Sequence, residues 1–357
     1  MANNPNRRSL GVFNIDEASL ANFDFTFTET LTSNEPVSSL DTQSVTESVL
    51  LSREENGRTY HAYREGAYWF PNDEEEVERL RVMHEIIRRA MGDVNGYAPW
   101  TQTNYPRRVL DVGTGTGEWC FDFAEEFPQT ELIIGTDLSQ IQPPETPPNV
   151  VFCIDDSSQE WLDTDLDYVH TRCTNGCWED IFSQIIQQAF DKLNPGGWLE
   201  CQEPDMELHC DDGTMPENHA LQQWVEELYR LSRIAGKPID NARRLKGWFE
   251  EAGFENVEER VFKVPTCAWP EERNQRELGF WMEEMLSSHV SGISRAYQSR
   301  VNGISVEEHE LSLIPVRTAL RNRNAHTYMR LHVVTGRKPG LNNNDRYRLN
   351  IPEAEET

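Results

Sequence analysis

Three glycines stand at alternate positions in the segment VLDVGTGTGEW, residues 109–119. They follow an apolar run and precede a helix-like segment, a setting in which peptide N–H groups and the positive helix end meet a ligand. The spacing G-x-G-x-G departs from the dinucleotide pattern, because Glu118 stands where the third glycine of G-x-G-x-x-G would be. A carboxylate repels a pyrophosphate but tolerates an amine and a sulfonium. Gly113, Gly115 and Gly117 therefore predict a nucleoside ligand with a short zwitterionic tail.

Carboxylates end the next two predicted strands. Asp137 closes the second strand and could accept hydrogen bonds from both ribose hydroxyls of a nucleoside, although a helix N-cap is the alternative role. Asp155 or Asp156, after the third strand, could accept from an adenine amino group, or could belong to a solvated acidic turn. Parallel strands end at one edge of a sheet, and such folds bind ligands at that edge. The glycine loop, Asp137 and the Asp155–Asp156 pair therefore predict a single binding site.

Composition narrows the class of protein. The chain has 357 residues with 61 acidic and 33 basic side chains, a formal net charge of −28 that repels nucleic acid. It has neither an apolar run long enough to span a bilayer nor a secretory signal at its start. Seven cysteines without repeated spacing indicate a reducing compartment, and Cys173 with Cys177 lack the second pair that a zinc site needs. We expect a cytoplasmic or nuclear protein without a bound metal.

Short apolar segments alternate with helical ones from residue 107 onward. Predicted strands cover 107–112, 131–138, 149–156, 166–173, 257–265 and 328–339. The segment 195–203 begins with a glycine turn and enters a further strand. Predicted helices cover 117–127, 180–193 and 241–254. This alternation is typical of an α/β fold whose parallel sheet is covered by helices on both faces.

The segments outside this alternation suggest a domain plan. We expect a disordered polar tail at 1–50, a helical N-terminal cap at 51–105, a domain at 106–340 and a flexible tail at 341–357. A helix should begin at Asn72, with Glu75 in the capping-box position. The stretches 206–240 and about 266–325 are too long for plain loops, so we interpret them as helical lid insertions.

The motifs VLDVGTGTGEW, IIGTDLS, CIDD and LNPGGWLECQE resemble those of class I S-adenosylmethionine-dependent methyltransferases. More narrowly, NGRTYHAYREGAYWFPNDEEEVERL, the EW at 160–161, DYVHTR and HVVTGRKP resemble the fungal LaeA-like methyltransferases, over roughly residues 50–340. The resemblance implies a Rossmann-like, seven-stranded, mostly parallel sheet with helical lid insertions. It also implies S-adenosylmethionine as the cofactor, with these contacts: Tyr60, Asp111, Gly113, Thr114, Gly115, Gly117, Asp137, Leu138, Asp155, Asp156 and Arg172.

Methyl transfer from that cofactor is an in-line displacement at a carbon activated by positive sulfur, so positioning supplies much of the acceleration. A base is needed only where the acceptor must lose a proton. His170 and His209 are the candidates, ahead of His61 and Glu203, although each histidine could instead be a structural imidazole.

Two classes of function fit these residues. The main prediction is a methyltransferase acting on a small-molecule acceptor of fungal secondary metabolism, with the inserted helices forming an apolar pocket. The alternative is a LaeA-like nuclear regulator that works through protein partners. A smaller third option keeps fold and cofactor but uses the pocket for another reaction, such as a rearrangement.

Overall fold

The computed structural model describes residues 52–61, 63–64 and 66–340. The tails predicted at 1–50 and 341–357 lie outside these ranges. Within the ranges described, no helix has the length and apolarity needed to cross a membrane.

A hairpin and one helix form the N-terminal cap, where the sequence indicated helix alone. The hairpin pairs β1 (Ser52–Glu55) with β2 (Arg58–His61), and α1 spans Glu74–Ala90. The predicted capping pair is wrong by one position, because Asp73 rather than Asn72 caps the helix and accepts from the Glu76 N–H at 3.1 Å. Asp73 also accepts two hydrogen bonds from Arg58, each 2.6 Å long, and so joins the hairpin to α1.

Glu200, a fully buried carboxylate, fastens the far end of the cap to the sheet. It accepts from the N–H groups of Tyr97, at 2.8 Å, and Ala98, at 2.8 Å. The Tyr168 hydroxyl, at 2.9 Å, also donates to it. These bonds satisfy the charged group inside the protein, as a buried carboxylate requires.

Seven strands form the central sheet: β3 (Arg108–Val112), β4 (Leu132–Asp137), β5 (Val150–Ile154), β6 (Leu166–Arg172), β7 (Leu193–His209), β8 (Glu255–Pro265) and β9 (Tyr328–Arg337). Their order is β5-β4-β3-β6-β7-β9-β8. The five strands from β5 to β7 are parallel, and β9 is antiparallel to both of its neighbours. The predicted seven-stranded, mostly parallel sheet is confirmed.

Helices cover both faces of the sheet. On one face, α2 (Glu118–Glu126) packs Trp119 and Phe123 against Val109 and Tyr168 of the strands. On the other face lie α3 (Gln187–Lys192), which follows a π-helical segment at Phe182–Ile186, and α5 (Leu245–Ala252). β3 is therefore buried on both sides, which explains why Val109, Leu110 and Val112 are apolar although they point to both faces of the sheet.

The insertions form a third layer over one end of the sheet. It consists of α4 (Ala220–Ile234), α6 (Arg273–Tyr297), α7 (Val306–Ser312) and α8 (Ile314–Leu320). The first insertion begins later than residue 206, because β7 continues to His209. The apolar sides of α4 and α6 pack with α1, β8 and β9 in one hydrophobic core, distinct from the two cores that flank the sheet.

Candidate functional site

A cleft opens at the carboxyl ends of β3, β4, β5 and β6, and the glycine loop forms its floor. Gly113, Gly115 and Gly117 adopt φ angles of +70°, +56° and +81°, in the left-handed region that glycine enters without strain. The N–H groups of Gly113 and Thr114 both donate to the Thr136 carbonyl at 2.9 Å. Gly113, Thr114 and Gly115 line the cleft, whereas Gly117 serves as N-cap of α2 and is not part of the wall.

Asp137 stands at the end of β4 in the wall of the cleft. Its two oxygens accept from the N–H groups of Gly115 and Ser139, each at 2.9 Å. Burial raises the pKa of this carboxyl to about 6. A carboxylate has acceptor capacity beyond these two bonds, so Asp137 can hold the glycine loop and still accept from a ligand hydroxyl.

The other acidic candidates also lie in the wall. Asp155 and Asp156 follow β5, and Leu138 follows β4. Asp156 accepts from the Ser158 hydroxyl at 2.6 Å, while burial raises the pKa of Asp155. The wall is thus rich in carboxylates, which favours a ligand carrying positive charge.

Asp111 is only 2% exposed, and its carboxylate already contacts two other side chains. It accepts from the Thr114 hydroxyl at 2.7 Å and lies 2.7 Å from Nδ1 of His170. The His170 ring stacks on Trp119 with centroids 3.8 Å apart and is fully buried, and that burial lowers its pKa. The prediction of His170 as a base is therefore corrected: its ring faces α2, holds Asp111 in place and does not line the cleft.

Arg172, at the end of β6, reaches the cleft with its guanidinium braced by the cap. It donates to Gln202 at 2.7 Å and contacts Nδ1 of His84 at 2.8 Å, while Nε2 of His84 contacts Asp122 at 3.0 Å. His84 also lines the cleft, although sequence analysis did not single it out. Its position inside α1 gave no local sign of a role, because only the tertiary fold brings α1 to β6.

Tyr60 does not line the cleft, so the predicted contact is corrected. It belongs to β2, is 3% exposed, and has the Arg300 guanidinium 4.9 Å above its ring. Tyr68, eight positions further along, lines the cleft instead. Of the three tyrosines Tyr60, Tyr63 and Tyr68 in this part of the chain, the last is the one that lines the cleft.

His209 lies at the far end of β7 and lines neither cavity of the site. Its ring packs near Tyr328, with centroids 5.6 Å apart, beside the carboxylates of Asp205 and Glu207. Arg243 forms ion pairs with both carboxylates. The prediction of a catalytic role for His209 is therefore corrected, because β7 continues past the cleft and carries this residue away from it.

A second cavity adjoins the cleft, between the sheet and the inserted helices. It encloses about 880 Å³, part of it open to solvent, and its wall is mainly apolar. Five of its lining residues are methionines: Met83, Met206, Met282, Met285 and Met329. Unbranched thioether side chains adapt to irregular apolar shapes, so this wall suits a bulky hydrophobic molecule.

Three residues line both cavities: Tyr68, Met83 and Cys173. Cys173 follows β6 with a φ of +55°, unusual for a residue with a side chain. The next turn is held by Glu203, which is fully buried and accepts from the N–H groups of Thr174 at 2.9 Å and Asn175 at 3.1 Å. Burial raises the pKa of Glu203 to about 7. This carboxyl supports the boundary between the cavities without lining either.

Comparison with known proteins identifies the family. A family model described as a methyltransferase domain matches residues 82–259. Methyltransferase pytC of Aspergillus terreus (strain NIH 2624 / FGSC A1156) is 33% identical over 306 residues, 84% of this chain and 94% of its own. The chain belongs to the methyltransferase family. Its sequence is also similar to proteins named as regulators.

The secondary metabolism regulator LAE1 of Cochliobolus heterostrophus is 34% identical to this methyltransferase over 291 residues, 80% of this chain and 94% of its own. The regulator laeA of Aspergillus fumigatus is 33% identical over 297 residues, 81% of this chain and 77% of its own. Among solved structures, phosphoethanolamine N-methyltransferase 2 of Haemonchus contortus, in complex with S-adenosyl-L-methionine, aligns with a TM-score of 0.45 and 15% identity over 82% of this chain and 72% of that chain.

The resemblance to LaeA-like methyltransferases is thus confirmed, and the protein is an S-adenosylmethionine-dependent methyltransferase. The cleft fits that cofactor. A Cβ at Gly113 would lie 2.9 Å from Thr174, so the floor admits backbone only, and Asp137 offers a buried acceptor beside it. The surrounding carboxylates suit a ligand with an amine and a sulfonium.

Proposed function

We propose that this methyltransferase transfers a methyl group to a small, largely apolar molecule bound in the methionine-lined cavity. The observation that carries the proposal is the junction: the apolar cavity and the cleft are neighbours that share the wall residues Tyr68, Met83 and Cys173. A molecule in one cavity and a cofactor in the other could thus meet, and holding reactants in such proximity can supply most of the acceleration of a methyl transfer.

The positions of residues in the wall of the cleft suggest which part of the cofactor each one binds. We propose that Asp137 accepts from the ribose hydroxyls, that Asp155, Asp156 and Leu138 surround the adenine, and that the backbone at Gly113, Thr114 and Gly115 holds the methionine part. When bound, S-adenosylmethionine supplies a methyl carbon activated by positive sulfur.

Arg172 lies where it can receive the carboxylate of the methionine part, because its guanidinium is braced by His84 and Gln202 in the cleft wall. Asp111 acts through its neighbours: its bonds to Thr114 and His170 hold the glycine loop in place. Gly117 contributes through conformation alone, because it starts α2 with a positive φ.

The test uses the purified protein, the cofactor with an isotopically labelled methyl group, and an extract of the source organism. Label is counted separately in the organic-soluble and protein fractions, with Asp137→Ala as the inactive control. We expect the label in an organic-soluble product that the control does not form. Label confined to protein contradicts the proposal.

A second candidate is a regulator that acts through protein partners in the nucleus, and the relatives named LAE1 and laeA favour it. The relative named as methyltransferase pytC and the apolar cavity favour the first candidate. We propose a cytoplasmic location for the metabolite enzyme. Microscopy of the tagged protein in the source organism checks this, since nuclear accumulation together with label in protein would support the regulator.

A further inference from the structure

Tyr68 places a phenol at the junction between the two cavities. Tyr68 lines both cavities, and its ring packs against Phe70 with centroids 5.3 Å apart. Its hydroxyl makes no hydrogen bond within the residues that the structure describes. A phenol can both donate and accept, so this hydroxyl is a polar partner ready for a ligand.

The junction is electrically neutral. Burial raises the pKa of Tyr68 well above its ordinary value and that of the Cys173 thiol to about 12, and Met83 carries no charge. Two cations line the apolar cavity. Arg79 is paired with Glu76 through hydrogen bonds of 2.9 Å and 2.6 Å, and Arg330 lies on β9 within electrostatic reach of His209 and Asp211. A charged acceptor group beside Tyr68 would therefore lose its hydration without an unpaired counter-ion at the junction itself, whereas a neutral hydroxyl needs only one hydrogen-bond partner.

We propose that Tyr68 binds the hydroxyl group of a neutral, otherwise apolar acceptor and turns that oxygen toward the cofactor cleft. This inference rests on the proposed function and specifies its substrate class as hydrophobic alcohols or phenols. Methyl transfer then forms the bond from oxygen to the methyl carbon, leaves the electron pair of the broken carbon–sulfur bond on sulfur, and releases the hydroxyl proton to solvent water.

The chain offers a matched control. Tyr60 lies in the same segment, and its hydroxyl is also buried without a hydrogen-bond partner, but it faces Arg300 and lines neither cavity. Tyr68→Phe and Tyr60→Phe therefore remove the same atom from the same type of ring, one at the junction and one away from it.

The experiment titrates the full chain, saturated with S-adenosylhomocysteine, with two probes in a calorimeter. 2-Naphthol carries a hydroxyl, and 2-methylnaphthalene has a methyl group of similar size in its place. We expect Tyr68→Phe to weaken 2-naphthol about fivefold and to leave 2-methylnaphthalene within about twofold, because one hydrogen bond is lost. Tyr60→Phe should change neither affinity, and S-adenosylhomocysteine should bind all three proteins equally.

The possible outcomes separate the two proposals. If Tyr68→Phe leaves 2-naphthol unchanged, or weakens both probes equally, the hydroxyl assignment is overturned while the apolar acceptor cavity stands. If neither probe binds the natural protein, the acceptor cavity itself is contradicted, and the role of Tyr68 falls with it.

Discussion

The two cavities are built in opposite ways. The cofactor cleft is the more polar of the two, and its floor and most of its carboxylates come from strand ends between residues 109 and 156. The acceptor cavity is apolar, and its wall combines α1, α4 and α6 with β8 and β9, from residues 68 to 331. The cleft depends on backbone conformation and buried charge, whereas the acceptor cavity depends on packing. Substitutions should therefore have sharp effects in the cleft and graded effects in the acceptor cavity.

The largest effect should come from Gly117→Ala in the cleft loop. An added Cβ would lie 2.3 Å from Cζ of Phe152, and φ is +81°. Gly213, outside the cleft, has a similar φ of +74° but no atom within 4 Å of the added Cβ. We expect the free energy of unfolding to fall by about 2–4 kcal/mol for Gly117→Ala and by about 1 kcal/mol for Gly213→Ala. Urea unfolding measures both, and equal losses would mean that crowding at Phe152 is unimportant.

Next in size is Asp137→Asn, which removes the buried negative charge but keeps the side-chain shape. We expect cofactor affinity at pH 7.5 to fall about tenfold or more, because the ribose loses a charged acceptor. The natural protein should also lose affinity as the pH falls through about 6, where Asp137 is protonated, and the variant should not. Calorimetry between pH 5 and pH 8 tests both points.

The pH dependence that Asp137 gives to stability should be opposite to the pH dependence of cofactor affinity. The pKa of Asp137 is raised from 3.8 to about 6 in the folded protein, so the folded state holds the proton more tightly than the unfolded state. Its contribution to the free energy of unfolding therefore grows as the pH falls from above 6 toward 3.8. The natural protein should therefore lose stability as the pH rises from 5 to 7.5, relative to Asp137→Asn, which lacks the titrating group. Equal pH dependence of the unfolding free energy in the two proteins would contradict this account.

Glu203→Gln tests the boundary between the cavities. The amide would place N–H groups where a carboxylate oxygen accepts from Asn175, so the turn after β6 should shift. We expect turnover to fall about fivefold, with cofactor affinity nearly unchanged. Turnover of the natural protein should also decline as the pH falls through about 7, where Glu203 is protonated.

Glu179→Gln serves as its control, because Glu179 is an exposed carboxylate near the same turn. Assays with labelled cofactor and the product-forming extract measure both variants. If Glu203→Gln keeps the pH profile of the natural protein, then Glu203 is not the group that titrates.

The smallest effect should come from Met282→Leu with Met285→Leu in the acceptor cavity. Volume-conserving swaps are well tolerated, so we expect a stability change below about 1.5 kcal/mol. The KM for the acceptor should shift by about twofold to threefold because leucine is less adaptable than methionine. Met215→Leu, which packs on the same core without lining the cavity, should leave this KM unchanged. An equal shift in cofactor affinity would show that the cavities are not independent.

The sheet and the cleft floor could be predicted because their signals are local. The apolar strands, the glycine loop and Asp137 lie within short stretches whose order fixes their position in the sheet. The direction in which a side chain points was harder to predict. His170 alternates onto the α2 face of β6, and β7 runs further than its apolar pattern indicated, which carries His209 away.

The acceptor cavity left no comparable signal in the sequence. Its methionines are spread over α1, β7, α6 and β9, and only packing brings them together. Tyr68 shows the same limit, because sequence alone gave no reason to prefer it to Tyr60. The assignment of cofactor and acceptor residues stays a prediction until the variants are measured.

The anchoring of the cap by Glu200 has a mechanical consequence. The carboxylate grips the backbone of Tyr97 and Ala98 from within the sheet, so that end of the cap is a fixed pivot. Ligand exchange through movement of the cap would then be a rotation of α1 about this pivot. Tyr68 precedes α1 and Tyr97 follows it, so such a rotation would displace Tyr68 more than the segment that Glu200 holds. The boundary between the cavities would then widen before the floor of the cleft is disturbed.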